Sequence, residues 1–169
     1  GDPEMAKAAC DWLTSDAGNE CFWGLPVRWH SGDRVFAPRT MMSTTTAEVA
    51  WFLVELDQRY QYVGRELLKR VGFNMANGLY RAIDDGESLQ FAYTPDPGEP
   101  VNNANLLIAS ALWKIGCYTG SAALMTVAER TLLTCLEGLD SSGGITYFRG
   151  HDIVDSYHQL FSVRALYVM

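Results

Sequence analysis

The 169-residue chain is short of positive charge: 13 Lys and Arg stand against 20 Asp and Glu, a formal net charge of −7. The basic residues are scattered, with Lys69-Arg70 the one adjacent pair, so there is no stripe to neutralise phosphates. That argues against nucleic acid or an anionic membrane surface as a partner. Long apolar runs are also missing. None approaches the roughly 20 residues that cross a bilayer, so no membrane span is expected. The first residues, Gly1-Asp2-Pro3-Glu4, carry no signal-peptide pattern. Cysteine is sparse. Cys10, Cys21, Cys117 and Cys135 form no CxxC pair and no cluster with histidine. Reduced thiols in a cytoplasmic protein are therefore the expectation, with no metal and no cofactor.

What the chain does have is apolar and aromatic content, 48% and 12%, enough for one domain with a real core. It divides into three units of the form helix, aromatic loop, helix, at about 1–60, 61–118 and 119–169. Unit one opens with Asp2-Pro3-Glu4, a helix start with proline at the first helical position. Met5, Ala8, Ala9, Trp12 and Leu13 then recur at helical spacing. A long loop through Trp23 and Trp29 leads to Ser43-Thr44-Thr45-Thr46, where a second helix starts. Thr45 and Glu48 have the spacing of a capping box. Unit two has a first helix from about Val63 to Ala82, a loop through Tyr93, and a second helix from Val101-Asn102-Asn103-Ala104-Asn105. Asp84-Asp85 reads as a solvated turn at the end of that first helix. Unit three has a helix from about Ser121 to Leu136, a loop from Ser142 to Asp152, and a last helix beginning Val154-Asp155-Ser156-Tyr157-His158.

First helices carry the charges and read as an amphipathic outer layer. Second helices are apolar on nearly all faces and read as buried. The fold expected is all-α, with three helical hairpins forming part of an α/α toroid.

Aligning the second helices brings Ser43/Thr46, Asn102/Asn105 and Asp155/His158 into register. Each pair is spaced i, i+3 in a first turn, so its members share a face. In a toroid those turns would meet around the mouth of the cavity. Ser43, Thr44 and Thr45 read mainly as helix caps. Asn102 divides evenly between capping and ligand contact, and Asn105 between a core hydrogen bond and ligand contact. Asp155 and His158 are the candidate catalytic pair, because a carboxylate one turn from an imidazole suits acid–base work. Trp29, Tyr93, Asn102, Asn105, Tyr147, Arg149, His151 and Asp152 are the candidate substrate-binding residues: aromatic faces beside a few polar groups suit a sugar-binding mouth.

With these residues laid out, the chain resembles the α/α-toroid superfamily, which includes protein prenyltransferase β subunits, terpene cyclases and six-hairpin glycosidase-like proteins. The stretch Asp155-Ser156-Tyr157-His158-Gln159-Leu160-Phe161 looks like the terminal helix of prenyltransferase β repeats. Their zinc site also needs an Asp-x-Cys pair, which this chain lacks. It looks more like bacterial toroid proteins encoded beside surface-polysaccharide biosynthesis genes. The likeness rests on Trp29, Thr44-Thr45-Thr46, Tyr93-Thr94-Pro95, Val101-Asn102-Asn103-Ala104-Asn105 and Asp155-Ser156-Tyr157-His158, in that order.

The resemblance implies a carbohydrate-active protein of polysaccharide metabolism, with lyase, epimerase or hydrolase-like chemistry on a small-molecule or oligosaccharide ligand. The alternatives are a non-catalytic scaffold and an isoprenoid-binding toroid. Three hairpins are about half of a closed ring. The expectation is a fragment of a larger toroid, a homodimer that completes the ring, or an open arc.

Overall fold

A computed structural model of the chain describes residues 2–16, 20–31, 33–95, 98, 100–148, 150, 152–154 and 156–169. In chain order its elements are α1 (Pro3–Asp16), β1 (Trp29–Ser31), β2 (Arg34–Phe36), α2 (Ser43–Tyr60), α3 (Arg65–Gly78), β3 (Arg81–Asp84), β4 (Leu89–Phe91), α4 (Asn102–Thr119), α5 (Ala122–Leu136) and α6 (Ser156–Val168). The all-α expectation is thereby corrected. Helices dominate, but two antiparallel two-stranded sheets sit in the connections. In the first, Trp29 pairs with Phe36, His30 with Val35 and Ser31 with Arg34. In the second, Arg81 pairs with Phe91 and Asp84 with Leu89.

The second sheet replaces the tail of a helix expected to run to Ala82. The helix stops at Gly78 instead. Arg81-Ala82-Ile83 then extends as a strand and turns back through Asp85 and Gly86, the glycine at φ 95. Asp85 Oδ1 accepts hydrogen bonds from the backbone N–H groups of Glu87 and Ser88. An Asp-Gly pair between two β-prone stretches is a hairpin signal.

The helices form two layers. In front, α2 and α6 both pack against α4; behind, α3 and α5 pack against α4 and each other, and α1 lies against α2. The centre is α4, with twelve of its 18 residues buried. Ile108, Leu112 and Ile115 are fully buried there beside Leu53, Leu68, Met75 and Leu124. Each such side chain stabilises the fold by about 1.5–3 kcal/mol relative to exposure. Gly116 lets α5 approach closely, since a Cβ there would fall 2.6 Å from Met125 Cγ and 3.2 Å from its backbone nitrogen.

Two expectations about burial also change. The buried face of α1 is marked by Cys10, while Met5 and Trp12 face solvent at 69% and 55% exposure. The last helix is not buried on all faces. Leu160, Val163 and Tyr167 form a bare apolar stripe along α6, at 69%, 62% and 92% exposure. No helix among the described residues is long and apolar enough to cross a membrane. All four cysteines are free thiols, with Cys10, Cys21 and Cys135 buried and Cys117 exposed.

Candidate functional site

The three front helices begin in the same way. In each, the fourth residue uses its side chain to hold both backbone groups of one residue in the loop before it. Thr46 Oγ1 accepts from Trp23 N–H at 3.1 Å and donates to Trp23 C=O at 3.2 Å. Asn105 Oδ1 accepts from Phe91 N–H at 2.7 Å, and its Nδ2 donates to Phe91 C=O at 3.0 Å. Gln159 Oε1 accepts from Ile145 N–H at 2.9 Å, and its Nε2 donates to Ile145 C=O. A buried backbone group left without a partner costs about 1–3 kcal/mol, so each clamp fixes its loop against its helix.

The loops return the favour to the preceding helix. The residues before α2 and α4, Met42 and Val101, make no side-chain cap, so the Thr45/Glu48 capping box does not form. The first N–H of α2, on Ser43, donates to Tyr93 C=O at 3.0 Å, and Ser43 Oγ donates to the same carbonyl at 3.2 Å. The first N–H of α4, on Asn102, donates to Tyr147 C=O at 2.9 Å. Each of these tyrosines lies two residues beyond a clamped residue. The backbone of one unit's loop thus caps the front helix of the unit before it.

These constraints bring the three helix starts onto one cleft of about 480 Å3. The second helical position of each contributes a wall residue: Thr44, Asn103 and Tyr157. The sixth contributes Glu48, Leu107 and Phe161, and Thr45 and His158 add to the rim. The residue two beyond each clamp completes it: Leu25, Tyr93 and Tyr147. The His158 ring sits edge-on between two tyrosines, with its centroid 4.6 Å from Tyr147 and 5.4 Å from Tyr157. Tyr157 in turn meets Phe161 edge-on at 5.1 Å.

Glu48 is bound at 3.2 Å by Arg164 Nη1 of α6. The Arg164 guanidinium also lies 4.3 Å from the centre of the Trp51 ring, and Lys114 Nζ lies 4.2 Å from it. Trp51 on α2 therefore links all three front helices behind the cleft. Lys114 is itself paired with Glu55.

The sequence candidates separate on this geometry. Tyr93, Tyr147 and His158 come together on the cleft wall. Asn102 and Asn105 are buried beneath it, with their amides engaged: Asn102 Oδ1 accepts from Gln90 Nε2, and its Nδ2 donates to Thr146 C=O. Asn103, between them, is the one that faces the cleft. Trp29 stacks on Phe36 at 4.5 Å and 15° and meets Tyr93 edge-on at 6.1 Å, so it supports the wall from behind. Asp152 is exposed and does not line the cleft. Arg149, His151 and Asp155 lie outside the described residues.

The register of the last helix also shifts by one residue. Ser156 and Gln159, not Asp155 and His158, occupy the positions of Ser43/Thr46 and Asn102/Asn105. Glu48, Asn103, Tyr157 and Phe161 were not singled out from the sequence as ligand contacts. The signal for Asn103 and Tyr157 is their place one residue after the helix's first residue in units two and three.

Among the described residues no three His, Cys, Asp or Glu side chains are grouped to hold a metal ion. The cleft combines aromatic faces, a carboxamide, two threonine hydroxyls, one carboxylate and one imidazole. Such a set can stack on a ring, hydrogen-bond to its edges and exchange protons with it. The chain matches no protein-family model, and no characterised protein is significantly similar to it.

Proposed function

We propose that this chain is an arc of an α/α toroid whose cleft binds a saccharide, in a protein of polysaccharide metabolism. The observation that carries this reading is the meeting of Tyr93, Tyr147 and Tyr157 with Asn103, Thr44 and Thr45 on one cleft at the shared ends of three helices. Sugars present apolar C–H faces and hydroxyl edges, which tyrosine rings and short polar side chains complement. Glu48 and His158 are the carboxylate and imidazole on that wall, from helices on either side of α4. In this reading they supply acid–base chemistry of the epimerase or hydrolase kind.

A glycan array tests the binding. The chain is expected to bind a subset of glycans, and Tyr157→Ala is expected to abolish that binding without changing the melting temperature, because Tyr157 is 67% exposed. An array with no bound glycan, or a Tyr157→Ala protein that binds as the parent does, would overturn the reading.

A further inference from the structure

We propose that the cleft selects uncharged, hydroxyl-bearing sugar rings and rejects anionic ones, with Glu48 setting that preference and Asn103 pairing with a ring hydroxyl. This inference rests on the saccharide reading above. Glu48 is the only Asp, Glu, Lys or Arg among the described residues that line the cleft. Its counter-charge, Arg164, lies over Trp51 and joins Glu48 in lining a small adjoining void, but it is not among the residues that line the cleft itself. A ligand in the cleft therefore meets the carboxylate before the guanidinium. The chain as a whole adds a net charge of −7, which further disfavours an anion's approach.

Asn103 supplies the complementary half of the argument. Its Oδ1 is shut away from solvent, and no donor among the described residues reaches it. A buried acceptor without a donor is unfavourable, and turning the carboxamide to meet a ligand's donor at the cleft removes that cost. A hydroxyl can donate to that oxygen and also accept from the amide nitrogen, so it satisfies the carboxamide in either sense. A carboxylate, sulfate or phosphate dianion only accepts. It would leave Oδ1 unmet and stand against Glu48 as well. Thr44 and Thr45 offer hydroxyls of the same dual character.

The test is an array of matched pairs, each a neutral oligosaccharide beside its uronate-bearing or sulfated counterpart. The parent chain is expected to bind the neutral member, with the acidic member roughly two- to fivefold weaker, the range of one partly exposed like-charge contact. Glu48→Gln should bring the two members to parity. Arg164→Gln, which leaves Glu48 uncompensated, should widen the gap. Equal or tighter binding of acidic members by the parent, or a ratio unchanged in Glu48→Gln, overturns this inference while leaving the saccharide site in place. An array with nothing bound overturns the saccharide reading and this inference with it.

Discussion

Asn105 holds Phe91 by both its backbone N–H, at 2.7 Å, and its backbone C=O, at 3.0 Å, through one side-chain amide. Both residues are fully buried, so no solvent replaces those bonds if the amide is removed. Asn105→Ala should therefore destabilise the chain by about 2–6 kcal/mol, from two orphaned groups at about 1–3 each. Urea unfolding measures it, and a loss below about 1 kcal/mol would mean the loop finds other partners.

The same device in unit three gives a functional prediction. Gln159 does not line the cleft, but it fixes Ile145, and Tyr147 follows two residues later against His158. Gln159→Ala should weaken binding of the best array glycan several-fold through the placement of Tyr147. Gln159→Glu keeps the acceptor for Ile145 N–H and should fall between the two. Unchanged affinity in Gln159→Ala would detach the clamp from the site.

Thiol chemistry reports the packing independently. Burial pushes the Cys135 thiol up to about 12, against a smaller opposing effect of the Gln90 amide that donates to its sulfur. Burial also raises Cys10. Only Cys117 is exposed. Titration of the native protein with a chromogenic disulfide at pH 8 should show a single fast thiol, lost in Cys117→Ser. A second fast thiol would mean that α1, α5 or the turn holding Cys21 opens readily.

Acid should weaken the join between β3 and α5. Arg130 first and Arg81 second hold the Asp84 carboxyl below its ordinary value of 3.8. A carboxyl lowered in the fold contributes its stability above the unfolded value and loses it as pH falls through the folded one. Asp84→Asn should therefore lower the melting temperature at pH 7, and the difference should shrink below pH 3.8. An offset that persists unchanged at about pH 2 would assign the effect to something other than charge.

The helices and the shared end of their starts were legible in the sequence because polar first turns stand out at Ser43-Thr44-Thr45-Thr46 and at Asn102-Asn103-Ala104-Asn105. What those polar residues do was not. Thr46, Asn105 and Gln159 bond to loop residues 23 or 14 positions away, and sequence spacing gives no view of such partners. The one-residue slip in α6 follows from that. Asp155 and His158 drew the eye by their chemistry, while the register is set by Gln159, which looked like an ordinary polar residue. The two sheets escaped notice because strands of three or four residues hold too few alternations to show a period of two.

The clamp interval has a last consequence. It is 14 residues in units two and three but 23 in unit one. The nine extra residues are accommodated by the β1–β2 hairpin, whose neck is closed by Met42 N–H to Trp23 C=O and by Arg39 N–H to Leu25 C=O. That neck makes the hairpin an exchangeable cassette. Its tip can be shortened, or can carry a foreign peptide, while both stems stay anchored at the cleft. Whatever replaces it must still present a flat ring where Trp29 now backs Tyr93. Loop grafting at this point would thus reshape one wall of the cleft and leave the helical frame untouched.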